Sequence, residues 1–146
     1  MINKTNLALG IGIALYFLPH VSNKFIFFPI VLIACLIPDI QYLLPGKKVI
    51  YADRTGIFKK ILQTYLTPII ISAIFAFYYP IFALPFFLGY SFTLTLNSFS
   101  KEGIHPFWPI SKKKTDGKIT SGGKIDSALF YIFLLFDVAL LIKLFI

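Results

Sequence analysis

Groups that do chemistry are scarce in this chain: one cysteine, two histidines and six acidic residues in 146 positions. A single cysteine excludes an intrachain disulfide, and Cys35, set inside an apolar run, reads as a buried thiol. Charged residues make up only 14% of the chain, against about 25% in soluble domains. No polar stretch is long enough for a separate soluble domain. No A-x-A cleavage site follows the first apolar stretch, so that stretch reads as an uncleaved first helix. Internal repeats and heptads are missing. Gly117 to Lys124 does not make a phosphate loop, because Lys124 comes one place late and no strand precedes it. No base-reading motif accompanies the net charge of +8, which argues against a nucleic-acid partner.

What the chain does have is hydrocarbon: 58% hydrophobic residues, 17 Phe, 8 Tyr and a mean hydropathy of +0.82. That composition belongs in a bilayer. Five apolar stretches stand out, at about Asn6 to Pro19, Phe25 to Leu44, Ile61 to Tyr79, Pro80 to Leu96 and Ser127 to Ile146. Most approach the ~20 residues needed to cross ~30 Å of hydrocarbon. The expected fold is therefore an all-α polytopic bundle of about five helices in a single transmembrane domain, 1–146. Four crossings result if the short first stretch packs inside. Its small pairs, Ala8 with Gly12 and Gly10 with Ala14, suit close helix contact. Pro29, Pro38, Pro68, Pro80 and Pro85 are expected kink or break points.

The 14 basic residues are unevenly placed. With five crossings, all except Lys24 and Lys143 fall on the side of the N-terminus. The positive-inside rule then predicts a multi-pass protein of the cell membrane, N-terminus cytoplasmic and C-terminus outside. Residues 98–126 form a basic cytoplasmic loop in this reading. Within it Ser111 to Lys124, SKKKTDGKITSGGK, has the composition of a linker and is the segment expected to move most.

Gly89 to Pro109, GYSFTLTLNSFSKEGIHPFWP, runs from an apolar helix into that loop. Thr93 and Asn97 are four residues apart and share a helix face, the arrangement of paired ligands. Leu36-Ile37-Pro38-Asp39-Ile40 ends the second stretch, Lys4-Thr5-Asn6 opens the first, and Asp53 to Lys59, DRTGIFK, lies between the second and third. In order and spacing, over roughly residues 4 to 110, these segments resemble the membrane-bound metal-dependent hydrolases, the family that includes LexA-binding inner-membrane-associated hydrolases. The resemblance implies an all-helical membrane fold with a metal site at the cytoplasmic helix ends. At the matching positions the family has His and Asp where this chain has Thr93 and Asn97, a His at Asn6, and a second acid at Gln41. Asp39 is kept, and in the altered loop only Arg54 clearly matches.

Metal chemistry needs several imidazoles and carboxylates converging on one point. Thr, Asn and Gln do not replace that set, so the degenerate positions Asn6, Asp39, Gln41, Asp53, Arg54, Thr93 and Asn97 imply a site without catalysis and without a cofactor. Asp39 and Asp53 are weak candidates for holding one divalent ion. The structural alternative pairs Asp39 with Arg54 or Lys47 as a helix-end anchor. His20 and His105 fall on opposite membrane faces under the topology above and cannot share a metal. Asp137 lies in the last apolar span, where a carboxylate costs about 2.5–3.5 kcal/mol on insertion scales. It should face protein, either protonated or hydrogen-bonded to a Thr, Ser or Tyr of another helix or subunit. Trp108 followed by Lys112, Lys113 and Lys114 fits a membrane interface, with an aromatic belt and anionic headgroups.

The sequence thus predicts a non-catalytic integral membrane protein, a structural or accessory subunit whose partners are the lipid bilayer and other integral membrane proteins. The alternative is a membrane-bound hydrolase acting on a phosphoester or lipid-like substrate at the cytoplasmic face. Transport ranks below both, because paired broken helices and several intramembrane charges are missing.

Overall fold

A computed structural model describes residues 3–40 and 56–146. Gln41, Lys47, Asp53 and Arg54, singled out above, lie outside the described residues. Among those described, the long regular elements are all helices, α1 (Asn3–Phe17), α2 (Lys24–Leu36), α3 (Ile57–Leu62), α4 (Leu66–Tyr78), α5 (Pro80–Ser98) and α6 (Lys124–Phe145), and residues 99–123 form a non-helical loop.

Prolines set several boundaries. Leu18–His20 tightens into a 3₁₀ turn with Pro19 in its first positions, and Ile37–Asp39 does the same around Pro38. A ring nitrogen carries no N–H, so each helix stops where a proline can open the tighter turn instead. Pro80 opens α5 from Tyr79, whose backbone (φ −144°, ψ 73°) breaks the path from α4. Pro29 and Pro85 lie inside α2 and α5, which continue past them.

The helices alternate in direction. Thr5 of α1 meets Asp126 at the start of α6, and Gly12 meets Asp137 further along, so α1 and α6 run parallel. The start of α1 also meets the ends of α2 and α5 through Asn6, Asp39 and Asn97. Tyr65, just before α4, has its hydroxyl 2.9 Å from that of Thr95 near the end of α5. One end of the bundle therefore collects the starts of α1, α4 and α6 and the ends of α2 and α5. Lys4, Lys59, Lys60, Lys101, Lys112–Lys114, Lys118 and Lys124 belong to that end by position, whereas Lys24 opens α2 and Lys143 closes α6 at the other.

Two apolar clusters hold the centre. Ile13 and Ala14 of α1 pack with Phe27, Val31 and Cys35 of α2, and Ala34 of α2 packs with Phe86, Tyr90 and Leu94 of α5 and with Ile104. The crossing of α2 and α5 is close. A Cβ on Gly89 would lie 2.5 Å from the Val31 carbonyl oxygen, and the Cys35 thiol donates to the Gly89 carbonyl at 3.3 Å. The small residues of α1 serve two partners, with Gly10 against Cys35 of α2 and Gly12 against Asp137 of α6.

α5 and α6, at 19 and 22 residues, are long and apolar enough to cross a membrane. α1, α2 and α4 have 15, 13 and 13 residues, or about 20 Å each at ~1.5 Å per residue. α6 exposes almost all of its apolar window, and Phe25 (97%), Phe77 (86%) and Phe145 (84%) are bare. Such faces require a non-aqueous surrounding.

Two expectations need correction. The apolar stretch from Ile61 to Tyr79 is not one helix, because it bends between α3 and α4. At that elbow the Gln63 carbonyl accepts from His105 N–H at 3.1 Å, Tyr65 N–H donates to the Pro106 carbonyl at 3.0 Å, and the Thr64 hydroxyl reaches Pro106 O at 2.9 Å and Trp108 O at 3.1 Å. Gln63 and Thr64 are buried there, and backbone groups that would have propagated a helix instead hold the loop.

The second correction concerns Ser111 to Lys124, which composition marks as a linker. Its backbone is bonded to the end of α5: Ile119 N–H to Phe99 O at 3.1 Å, Lys101 N–H to Ile119 O at 2.8 Å, Gly117 N–H to Ser100 O at 3.1 Å, and Thr115 N–H to Ile104 O at 2.9 Å. Glycine is needed twice in this contact. Gly103 has φ +59°, and a Cβ on Gly117 would lie 1.9 Å from Phe99 O. Backbone groups, which side-chain composition does not report, fasten this segment to residues 99–104.

Candidate functional site at the basic end of the bundle

Asp39 is the residue around which this end is organised. Because Pro38 tightens the tail of α2 into a 3₁₀ turn, the Asp39 side chain is buried, with 2% of its surface exposed. Asn6, one turn into α1, and Asn97, in the last turn of α5, are buried beside it. Asn6 Nδ2 donates to Asp39 Oδ2, and Asn97 Nδ2 donates to Asp39 Oδ1 at 3.0 Å. Each carboxylate oxygen thus receives an amide N–H from a different helix. Thr93, one turn before Asn97 on the same face, is wholly buried.

A second, similar contact adjoins it. Thr5 Oγ1 donates to Asp126 Oδ1 at 2.8 Å, and the Gly122 N–H donates to Asp126 Oδ2 at 2.9 Å. Asp126 is 1% exposed in the first turn of α6, where a carboxylate meets the positive end of the helix dipole. Adjacent residues of α1, Thr5 and Asn6, therefore each bind a different buried aspartate, Asp126 of α6 and Asp39 at the tail of α2. Sequence reasoning passed over Thr5 and Asp126. The available signal was an acid three residues after Gly123 at the start of an apolar run, the position that caps a helix.

The structure thus brings Asn6, Asp39 and Asn97 into direct contact, with Thr93 next to them. Gln41, Asp53 and Arg54 lie outside the described residues, as does Lys47. Asp137 belongs elsewhere. It is 7% exposed on α6, and its Oδ1 lies against Gly12, without a hydrogen-bond partner; among the described residues no hydroxyl reaches that oxygen. Trp108 is half-buried, its carbonyl taken by Thr64, and Lys112, Lys113 and Lys114 are exposed. His20 ends the 3₁₀ turn at the far end of the bundle. His105 lies on the loop, where partial burial, helped by Lys60 and Lys114, holds its ring below the usual histidine range.

The donor set can be weighed against the metal that the resemblance implies. Among the described residues, no group of three His, Cys, Asp or Glu side chains converges. The decisive feature is orientation: both amides turn N–H groups toward Asp39, the arrangement that satisfies an anion. Among the described residues, Asn6, Asp39 and Asn97 form a hydrogen-bonded clasp around one carboxylate, joining α1, α2 and α5.

The chain was compared with known proteins by family, by curated sequence and by fold. No curated protein and no solved structure matches it. One family model, described as YdjM inner membrane protein, matches residues 1–144, almost the whole chain. The chain belongs to the YdjM inner membrane protein family.

Proposed function

We propose that this protein is a non-catalytic, multi-pass membrane protein, a structural or accessory subunit in which a metal-hydrolase framework has become a hydrogen-bonded clasp. The observation that carries this is Asp39, whose two oxygens are each engaged by an amide N–H, from Asn6 and from Asn97. Nucleophile, general base and metal ligand all need a free carboxylate lone pair aimed at substrate, water or ion. Here one lone pair on each oxygen is taken by an amide N–H that ties helices together, and the carboxyl group is 2% exposed. Five crossings, with the N-terminus cytoplasmic and the C-terminus outside, agree with alternating helix directions and with basic residues gathered at the clasp end. Bare aromatic faces on α2, α4 and α6 offer surface for lipid and for other membrane helices. Gentle solubilisation at native expression should recover the chain with other integral membrane proteins. Recovery only as a monomer would contradict the accessory role.

The second reading is a metal-dependent hydrolase at the cytoplasmic surface. One observation favours it: Asn6 Oδ1 is buried without a hydrogen-bond partner, and an amide oxygen is a hard-cation donor. Asp39 and Asp53 would be its carboxylates and Arg54 would steady an anionic substrate. Metal content separates the two.

A further inference from the structure

α1 and α6 touch at Thr5–Asp126 and at Gly12–Asp137, and beyond these contacts they leave a seam. Its inner part is a cavity of about 300 Å³ lined by Ala8, Gly12, Phe92, Phe133 and Phe136. Asp137 is in the wall, but its Oδ1 is turned into the backbone of Gly12, where a Cβ would approach to 2.6 Å, so the accessible lining is hydrocarbon. The seam continues along the same two helices into a cleft of about 550 Å³ lined by Tyr16, Pro19, His20, Leu140 and Lys143. Tyr16 lines both. The polar end is thus cationic or neutral, with Lys143 and His20 exposed at its mouth, and the deep end is apolar. Among the described residues no carboxylate lines that mouth.

We infer that the α1–α6 seam binds a phospholipid with an anionic headgroup, its phosphate at Lys143 and His20 and one acyl chain along Tyr16, Phe136 and Phe133. Charge complementarity selects the head, since a basic residue at a membrane surface attracts anionic lipid. The apolar shaft selects a long chain, because each buried methylene adds favourable transfer free energy. Parallel helices make this possible: the mouth lies at one bundle end and the shaft runs from it toward the centre. This site is distinct from the Asp39 clasp, at the opposite end of α1, and does not depend on how that clasp is read.

The probe is dioleoyl phosphatidylglycerol, retained on delipidated protein in neutral detergent and counted by native mass spectrometry, with dioleoyl phosphatidylcholine as the neutral-head control. Wild type should prefer the anionic lipid by about five-fold, the worth of one basic residue near a headgroup. The double variant His20→Gln/Lys143→Gln, altered only at exposed positions, should lose that preference. Dihexanoyl phosphatidylglycerol and inorganic phosphate should not displace the bound lipid. Equal retention of both lipids by wild type overturns the inference, as does a preference that survives the double variant. Loss of the preference in Lys112→Gln/Lys113→Gln/Lys114→Gln instead would place anionic lipid on the loop and equally overturn it.

Discussion

Asn97 donates its side-chain amide to the buried carboxylate of Asp39 at 3.0 Å, tying the last turn of α5 to the tail of α2. Asn6 of α1 donates to the other oxygen of the same carboxylate. Two neutral donors on a buried carboxyl group offset part of the cost of its burial without bringing in a second charge. Asn97→Ala should lower stability by about 2 kcal/mol, the range for a hydrogen bond to a charged group. Asn97→Asp should cost more, because it sets two carboxylates side by side. Thermal unfolding in detergent, followed by circular dichroism, checks the order.

Thr5→Val keeps the shape of the side chain and removes the donor to Asp126. The loss should be about 1–3 kcal/mol, because Asp126 Oδ1 would keep its burial and lose that bond. The same unfolding measurement tests it, and a change below about 0.5 kcal/mol, the size of a surface substitution, would mean that this contact is incidental.

Gly89→Ala should force α2 and α5 apart, since the added Cβ would lie 2.5 Å from Val31 O and 3.0 Å from Ala34 Cβ. Overpacking of this kind costs about 1–3 kcal/mol. Cys35, now wholly buried and bonded to the Gly89 carbonyl, should then react faster with a membrane-permeant maleimide. Unchanged labelling would mean that the helices accommodate the methyl elsewhere.

His105 gives a pH prediction. Its ring is held below the usual range by partial burial, with Lys60 and Lys114 adding to the effect, so the folded chain binds its proton less readily than the unfolded chain. Stability at this site is therefore fully present above the unfolded value of about 6.5 and is lost as pH falls from there through the lower folded value. His105→Gln should flatten the pH dependence of unfolding between pH 7 and 5. An equal slope in the variant would assign the acid sensitivity to other groups.

The apolar stretches made five of the helices legible, because hydropathy reports burial in lipid directly. Of the seven positions that the motifs singled out, the hydrogen bonds join Asn6, Asp39 and Asn97, while Gln41, Asp53 and Arg54 lie outside the described residues. The elbow at Gln63 to Tyr65 was hidden, since two polar residues between isoleucines and leucines do not announce that their backbone will bond His105 and Pro106. Asp126 was hidden for another reason: beside Lys118 and Lys124 it reads as one more loop charge, and its burial follows only from Thr5, 121 residues away. The Ser111 to Lys124 loop misled because composition measures freedom only when nothing nearby accepts the hydrogen bonds.

The central claim is that the Asp39 cluster is a clasp and not a metal centre. Elemental analysis of protein purified in detergent without chelator tests it most directly, with Asp39→Ala prepared in parallel. The account predicts less than stoichiometric metal in both. Near-stoichiometric zinc, manganese or magnesium in the wild type, lost in Asp39→Ala, would contradict it.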